Sequence, residues 1–202
     1  ATAILLRGRA LHGGAESDSL GNVKFAHLSE TADSTPELSL VLGDRAVPLR
    51  ELDDALQFAT LQQLIEAGPE ALERVNQAAS RLPADAGRPL RTAVYSAAVI
   101  RPPSTLAVGL NCDEHASELA LDNDSGPVLF SLFPNSLNGH GREVPIPTHI
   151  STEVDYEGEL GVIIGKAVRD VSPEEALDAV FGYTVINDIT ARDLQFREPQ
   201  WS

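Results

Sequence analysis

The fold of this chain is decided by VDYEGELGVIIGKAVRDVSPEEALDAVFGYTVINDITARDLQ, residues 154–195. Its first part ends in β-branched residues and predicts a strand, and FGYTVIND predicts a second strand, with its body at residues 183–187. Between them, Ser172 fits a helix N-cap, Pro173 the first helical position, and Glu175 the third position of a capping box. The order strand, helix, strand places carboxylates near both strands, which allows a site between them.

The N-terminal half predicts a small α+β domain. The apolar stretches AILLRGRA and NVKFAHL predict strands, and LSLVLGDRAVPL predicts a hairpin that turns at Gly43 and Asp44. From residue 52 to 82 the apolar residues follow helical spacing, and Gly68 with Pro69 divides this region into two helices.

The region after the second helix is rich in proline, arginine and small residues, and its short run AVYSAAVI indicates a linker that leads into a strand. TLAVGLN then predicts a strand and CDEHASELAL a short helix. We place the domain boundary near residue 95, which gives a small N-terminal domain at 1–95 and a catalytic domain at 96–202.

Charge and composition limit the partners. The 202 residues carry 30 Asp and Glu against 15 Lys and Arg, a formal net charge of −15, which disfavours nucleic acid and is typical of a soluble surface. The single cysteine, Cys112, excludes an intrachain disulfide and favours a reducing compartment. No apolar run reaches the roughly 20 residues that span a bilayer, so we expect a cytoplasmic protein with no membrane partner.

Two glutamates at strand spacing point to a metal. Glu157 and Glu159 are two apart, so their side chains leave the same face of the predicted strand, where they would repel each other without a cation. Asp188, at the end of the next strand, offers a third oxygen. Such ligands favour Mg²⁺, Mn²⁺ or Ca²⁺ over zinc. The alternative, a solvated strand face with Asp188 capping a turn, is more common for this spacing alone.

Two further pairs are candidates for catalysis and substrate binding. His115 and Glu118 are three apart in the predicted short helix, which suits a general base, although a surface ion pair fits the same spacing. Arg192 and Gln195 follow Asp188 by one and two helical turns and would suit a substrate carboxylate. The alternative for Arg192 is a salt bridge to a local acid such as Asp193.

The sequence from about residue 106 to 201 resembles the fumarylacetoacetate hydrolase family. The resemblance lies in GLNCDEHASE, in PVLF with NSLNGHG, in residues 154–195 and in the closing QW. It implies an α+β fold of mixed, layered β-sheets, a sandwich or roll with short helices, preceded by the small N-terminal domain. It also implies a homodimer.

The resemblance assigns a role to each candidate residue. Glu157, Glu159 and Asp188 would bind Mg²⁺ or, in its place, Mn²⁺ or Ca²⁺. His115 with Glu118 would activate water. The segment that contains Arg192 and ends at Gln195, seven residues after Asp188, would line the substrate site. The resemblance therefore implies that these candidate residues form one site for a small keto acid.

The leading function is hydrolysis of a carbon-carbon bond in an acylpyruvate or fumarylpyruvate-like diketo acid, with water activated by His115 and Glu118. One alternative is a metal-dependent decarboxylase of an oxaloacetate-like acid, or an isomerase or hydratase of the same family. Another is a catalytically silent binding subunit.

Three departures from the family pattern bear on these functions. Cys112 stands where the family usually has tyrosine, and Leu132 stands where it commonly has a lysine that would neutralise an oxyanion. The sequence stops at Ser202, whereas the family continues through a Lys-Ser-Asp pattern and a Gly-Pro loop. We therefore expect a catalytic domain that is incomplete at its C-terminus, either a fragment or one completed by a second chain.

Overall fold

The computed structural model describes residues 4–5, 23–109, 128–197 and 200–201. The chain divides into two compact units: one comprises Ala1–Ile100, Asn138–Val144 and Glu157–Asp188, and the other comprises Arg101–Leu137, Pro145–Tyr156 and Ile189–Ser202. These units are interleaved along the sequence. The predicted boundary near residue 95 separates two parts that would each fold independently. It remains a prediction.

The described residues include ten strands and five α-helices, joined by loops. The strands are β1 (Ile4–Leu5), β2 (Lys24–Ser29), β3 (Glu37–Leu42), β4 (Arg45–Pro48), β5 (Arg88–Pro89), β6 (Val94–Tyr95), β7 (Thr105–Gly109), β8 (Val128–Leu132), β9 (Val154–Ile164) and β10 (Val180–Ala191). The α-helices are α1 (Leu49–Leu52), α2 (Leu61–Glu66), α3 (Pro69–Ala79), α4 (Pro173–Leu177) and α5 (Arg192–Arg197). Every helix in this described part is too short to span a lipid bilayer.

The main sheet has eight strands in the order β5-β4-β3-β2-β1-β10-β9, and its eighth strand, β6, pairs with β2. The strand β1 is antiparallel to both of its neighbours, with Leu5 opposite Tyr183 on β10 and Ile4 opposite Phe25 on β2. Sequence-distant strands therefore share one sheet. A second sheet pairs β7 with β8 antiparallel, with Ala107 opposite Phe130.

Local sequence signals account for several of these elements. The predicted hairpin is confirmed, because β3 and β4 pair with Leu42 opposite Arg45 and Gly43 adopts a φ of 60° at the turn. The predicted pair of helices is confirmed as α2 and α3, separated at Gly68, with Pro69 in the first turn of α3.

The capping box at α4 is also confirmed. The side chain of Ser172 accepts a hydrogen bond from the backbone N–H of Glu175, and the carboxylate of Glu175 accepts one from the backbone N–H of Ser172. These bonds lower the pKa of Glu175. Replacing Ser172 by alanine removes one of the two bonds, and such caps contribute about 1 kcal/mol.

The second strand of residues 154–195 is longer than predicted. We expected its body at 183–187, whereas β10 runs from Val180 to Ala191. The strand lies between β1 and the eleven-residue β9 in the sheet, so its partners extend it past the end of the local β-forming sequence.

The core lies between the N-terminal strands and helices. Its largest fully buried side chains come from β2, β3 and the three N-terminal helices with their connecting loops: Phe25, Leu40, Leu49, Leu56, Leu61, Leu64, His27 and Val75. Ile163 of β9 and Phe181 of β10 pack against this cluster. Both long strands are therefore packed on the N-terminal core of the same unit.

One polar side chain in this core links three segments. His27 on β2 is 1% exposed, and its Nε2 accepts a hydrogen bond of 3.2 Å from the backbone N–H of Leu61 at the start of α2. Its Nδ1 therefore carries the proton and donates to the carbonyl of Ala97 at 3.2 Å. Burial lowers the pKa of His27 because it removes water from the charged ring, and the hydrogen bonds to backbone carbonyls oppose this effect.

We expect the stability of the folded chain to depend on the charge of His27. The folded pKa lies below the ordinary 6.5, so the contribution is present above pH 6.5 and is lost as the pH falls below it. The free energy of unfolding should decrease there by up to about 1.4 kcal/mol per pH unit.

The measurement is chemical denaturation of the wild type and of His27→Gln between pH 8 and pH 5. The variant should be less stable at pH 8, because it cannot make both bonds, and its stability should vary less with pH. Equal pH dependence in the two proteins would show that His27 is not the titrating group.

Candidate metal centre

Glu157 and Glu159 lie on one face of β9. Side chains alternate along a strand, and here the half-buried positions Glu157, Glu159 and Ile163 alternate with exposed positions such as Leu160. Ile163 packs against the N-terminal core, so the two carboxylates share the inner face of the sheet. The predicted placement of the two glutamates on a common face is confirmed.

Asp188 occupies the matching face of β10. It is half-buried and follows Thr184 and Ile186 at a spacing of two, while the residues between them are exposed. A Cβ atom added to Gly161 on β9 would lie 2.7 Å from Cγ2 of Thr184 and 2.8 Å from the Cδ1 atom of Ile186. The inner faces of β9 and β10 therefore meet closely at Gly161, a requirement that the sequence analysis missed.

The opposite face of the same two strands is apolar and open. Leu160 on β9 is 70% exposed and Val185 on β10 is 67% exposed, with further apolar side chains alongside them. No described residue covers this face. Each strand thus separates carboxylates on one side from aliphatic side chains on the other.

The three carboxylates interact electrostatically. The pKa of Glu159 is raised, first by burial, then by the negative charge of Asp188, and then by that of Glu157. The repulsion from the other two acids favours either a proton on Glu159 or a cation between the carboxylates. The sequence prediction that these three residues are neighbours agrees with this coupling.

The donor set fits a hard divalent cation in chemistry and charge, because all three groups offer carboxylate oxygens and two of them destabilise the third. Within the described part of the chain, however, no three His, Cys, Asp or Glu side chains are grouped closely enough to form a ready metal site. Binding would therefore require the carboxylates to draw together around the ion.

Arg192 and Gln195 belong to the other unit. The residues after Asp188 continue as strand to Ala191 and α5 begins at Arg192, so the helical spacing considered from Asp188 does not apply. The two side chains nevertheless meet, because they are three apart on α5 and Arg192 Nη1 donates to Gln195 Oε1 at 3.0 Å.

A local acid fixes the guanidinium of Arg192. Its Nε and Nη2 donate to the same oxygen of Asp155, at 3.1 Å and 2.9 Å, and the arginine side chain is only 14% exposed. The acid suggested by the sequence, Asp193, instead accepts a 2.6 Å hydrogen bond from Ser151. The partner of Arg192 lies 37 positions away and was not apparent from local sequence.

His115, Glu118 and Cys112 lie outside the described residues, so what the sequence predicts for them remains a prediction. Leu132 is half-buried at the end of β8, opposite Thr105. The closing QW has a packing role: the ring of Trp201 meets Phe130 edge to face at 5.6 Å, and it leaves no room for a side chain at Gly109.

Comparison with known proteins identifies one family. Residues 104–202 match the family model described as the fumarylacetoacetate hydrolase C-terminal domain. The Bacillus subtilis oxaloacetate tautomerase YisK is 44% identical over 98 residues, which is 48% of this chain and 33% of that protein. The human mitochondrial oxaloacetate tautomerase FAHD2A is 34% identical over 171 residues, which is 82% of this chain and 53% of that protein.

Solved structures confirm the fold. The fumarylacetoacetate hydrolase of Exiguobacterium antarcticum matches with a TM-score of 0.69 and 28% identity, over 89% of this chain and 60% of that one. The maleylpyruvate hydrolase of Sphingobium sp. SYK-6, in complex with manganese(II) and pyruvate, matches with a TM-score of 0.66 and 26% identity, over 86% and 61%. The chain spans less than two thirds of each of these relatives.

We expect Glu157→Gln to lower the pKa of Glu159 in the metal-free protein. The substitution removes one of the two negative charges that raise this pKa and leaves burial nearly unchanged. The measurement is a titration of the Glu159 side-chain carboxyl carbon by NMR. Glu70→Gln, on the distant helix α3, is the matched control and should leave the value as it is. An unchanged pKa in Glu157→Gln would mean that the two groups do not interact.

Proposed function

Because residues 104–202 belong to the fumarylacetoacetate hydrolase family, we propose that this chain carries the metal-binding carboxylates of an enzyme acting on a small 2-keto acid. The observation that supports the proposal most directly is the placement of Glu157 and Glu159 on the inner face of β9 and of Asp188 on the matching face of the adjacent β10, where the other two acids help to raise the pKa of Glu159. A carboxylate whose ionisation is opposed by two neighbouring acids is costly to bury without a cation.

In this proposal Glu157, Glu159 and Asp188 hold Mg²⁺ or Mn²⁺. When bound, the ion would supply Lewis-acid stabilisation of the negative charge that develops on the keto-acid oxygens. The carboxylates themselves fix its position, because two of them come from one strand and the third from its neighbour. The manganese in the similar maleylpyruvate hydrolase supports the choice of a divalent ion.

The family pattern assigns the remaining roles to four further side chains. Arg192, oriented by Asp155, and Gln195 would bind the substrate carboxylate, for which a planar guanidinium is well suited. His115, held by Glu118, would carry the proton that leaves or joins the carbon next to the keto group. Each role rests on the family pattern at these positions.

The reaction we favour is keto-enol tautomerisation of oxaloacetate or a similar diacid. A proton leaves the methylene carbon, a proton is added to the keto oxygen, and no carbon-carbon bond breaks. Two relatives named oxaloacetate tautomerases, at 44% and 34% identity, support this choice. Leu132 also supports it, because it offers no cation to the oxyanion that attack by water would generate.

The second candidate is hydrolysis of an acylpyruvate-like diketo acid, in which His115 would activate water to attack a carbonyl. The likeness to a maleylpyruvate hydrolase with bound pyruvate favours it. Both reactions need the negative charge of an enolate to be stabilised, so the same carboxylates serve either one.

The metal prediction is tested by calorimetric titration of the metal-free chain with Mg²⁺ and Mn²⁺. The wild type should bind, and Glu159→Gln should weaken the affinity by about tenfold or more, because a charged ligand is lost. Glu70→Gln removes the same charge from α3 and should bind as the wild type does. Equal binding by the wild type and Glu159→Gln would overturn the assignment.

Turnover distinguishes the two reactions. With the preferred ion present, oxaloacetate should show accelerated exchange between its keto and enol forms, followed by ultraviolet absorbance, without release of pyruvate. His115→Ala should remove this acceleration and retain metal binding. Cleavage of an acylpyruvate with uptake of labelled oxygen from water would instead establish hydrolysis, and pyruvate formed from oxaloacetate would establish decarboxylation. Full turnover by His115→Ala would exclude the proposed proton carrier.

A further inference from the structure

An open groove of about 800 Å³ lies where β6 meets the loop at residues 138–143. Both segments belong to the same unit as the three carboxylates, but the groove shares no lining residue with them. Its charged, polar and aromatic lining comprises Arg91, Tyr95, Asn138, His140, Arg142 and Glu143.

The loop is packed directly on β6. A Cβ atom added to Gly139 would lie 1.9 Å from the backbone carbonyl oxygen of Tyr95, so only glycine allows this approach. The ring of His140 meets the ring of Tyr95 edge to face, with centroids 5.5 Å apart. These contacts hold the loop side chains beside those that precede β6.

Hydrogen bonds inside the loop fix its shape. Asn138 accepts a bond of 2.8 Å from the N–H of Gly139 and donates one of 3.0 Å to the carbonyl of Glu143. The N–H of Arg142 donates to the carbonyl of Gly139 at 3.2 Å. The groove is therefore shaped before any ligand arrives, which lowers the ordering cost of binding.

The two arginines of the groove have no acidic partner among the described residues. Arg88 bonds to both Glu30 and Glu51. In contrast, neither Arg91 nor Arg142 forms an ion pair with any described acid, although acids outnumber bases by 30 to 15. The groove thus collects two guanidinium groups and an imidazole against one carboxylate, that of Glu143.

We propose that this groove binds a small dianion bearing carboxylate or phosphate groups. Arg91 lines the groove from the segment before β6 and Arg142 lines it from the loop, and a guanidinium is a planar fork that matches such oxygens. His140, whose ring contacts the ring of Tyr95, adds a further hydrogen-bond donor to the lining. The site is independent of the proposed keto-acid chemistry, and it gives the chain a second place at which an anionic metabolite is recognised.

The test is calorimetric titration of the full chain with inorganic phosphate and, separately, with succinate, at constant ionic strength set with chloride. The wild type should bind at least one of the two ions, and the tighter ion identifies which oxygen chemistry the groove takes. Arg91→Ala and Arg142→Ala should each weaken that binding by at least about tenfold, the usual effect of losing a charge-assisted bond.

Arg81→Ala is the matched control, because it removes one positive charge from the surface after α3. It should bind as the wild type does. Gly139→Ala should also lose binding, since the added Cβ displaces the loop from Tyr95. If Gly139→Ala fails to fold, the two arginine variants still decide the result.

Two outcomes would overturn the proposal. One is no binding of either ion by the wild type at millimolar concentration. The other is an equal loss of binding in Arg81→Ala, which would mean that the ions respond only to overall charge. Retained metal binding at Glu157, Glu159 and Asp188 in all the arginine variants would keep this result separate from the proposed function.

Discussion

The close approach of β9 and β10 at Gly161 is the constraint on which the candidate site depends. With no side chain there, Thr184 and Ile186 pack directly against the β9 backbone, and the acids further along both strands are carried toward one another. The same inner face of β9 reaches the N-terminal core through Ile163. Charge repulsion among the acids is thus imposed by apolar packing next to them, since the packing fixes the two strands in place.

Local sequence predicted the elements whose causes are local. The turn at Gly43, the break at Gly68 and Pro69, and the capping box at Ser172 each depend on residues within a few positions, so their chemistry was visible in the sequence. The common face of Glu157 and Glu159 followed from strand periodicity for the same reason.

The features that could not be predicted from local sequence depend on contacts between residues far apart in the chain. The length of β10 depends on its neighbours in the sheet, and the orientation of Arg192 depends on Asp155, which precedes it by 37 positions. Neither partner is marked by any local pattern. Asp188 entered the candidate site from its place at the end of the next predicted strand, whereas its influence on Glu159 required the paired strands.

Cations are scarce in this chain, and the structure uses them in distinct ways. Arg88 ties together two exposed acids, and surface pairs of this kind contribute little to stability. Arg192 is largely buried and is held by Asp155, so its position is defined and it acts as a fixed donor. Arg91 and Arg142 face a groove in which few acids compete for them. The local surroundings of each arginine therefore say more about its role than the net charge does.

Gly158 has a practical consequence that follows from its place between the two glutamates of β9. A Cβ atom added there meets no described atom within 4 Å, and it would project from the face opposite to the carboxylates. The position therefore has room for a chemical label on the opposite face of β9 from the candidate metal centre. A fluorophore or spin label attached at residue 158 would report the arrival of an ion on the far side of the strand, including a paramagnetic one such as Mn²⁺, without occupying the site.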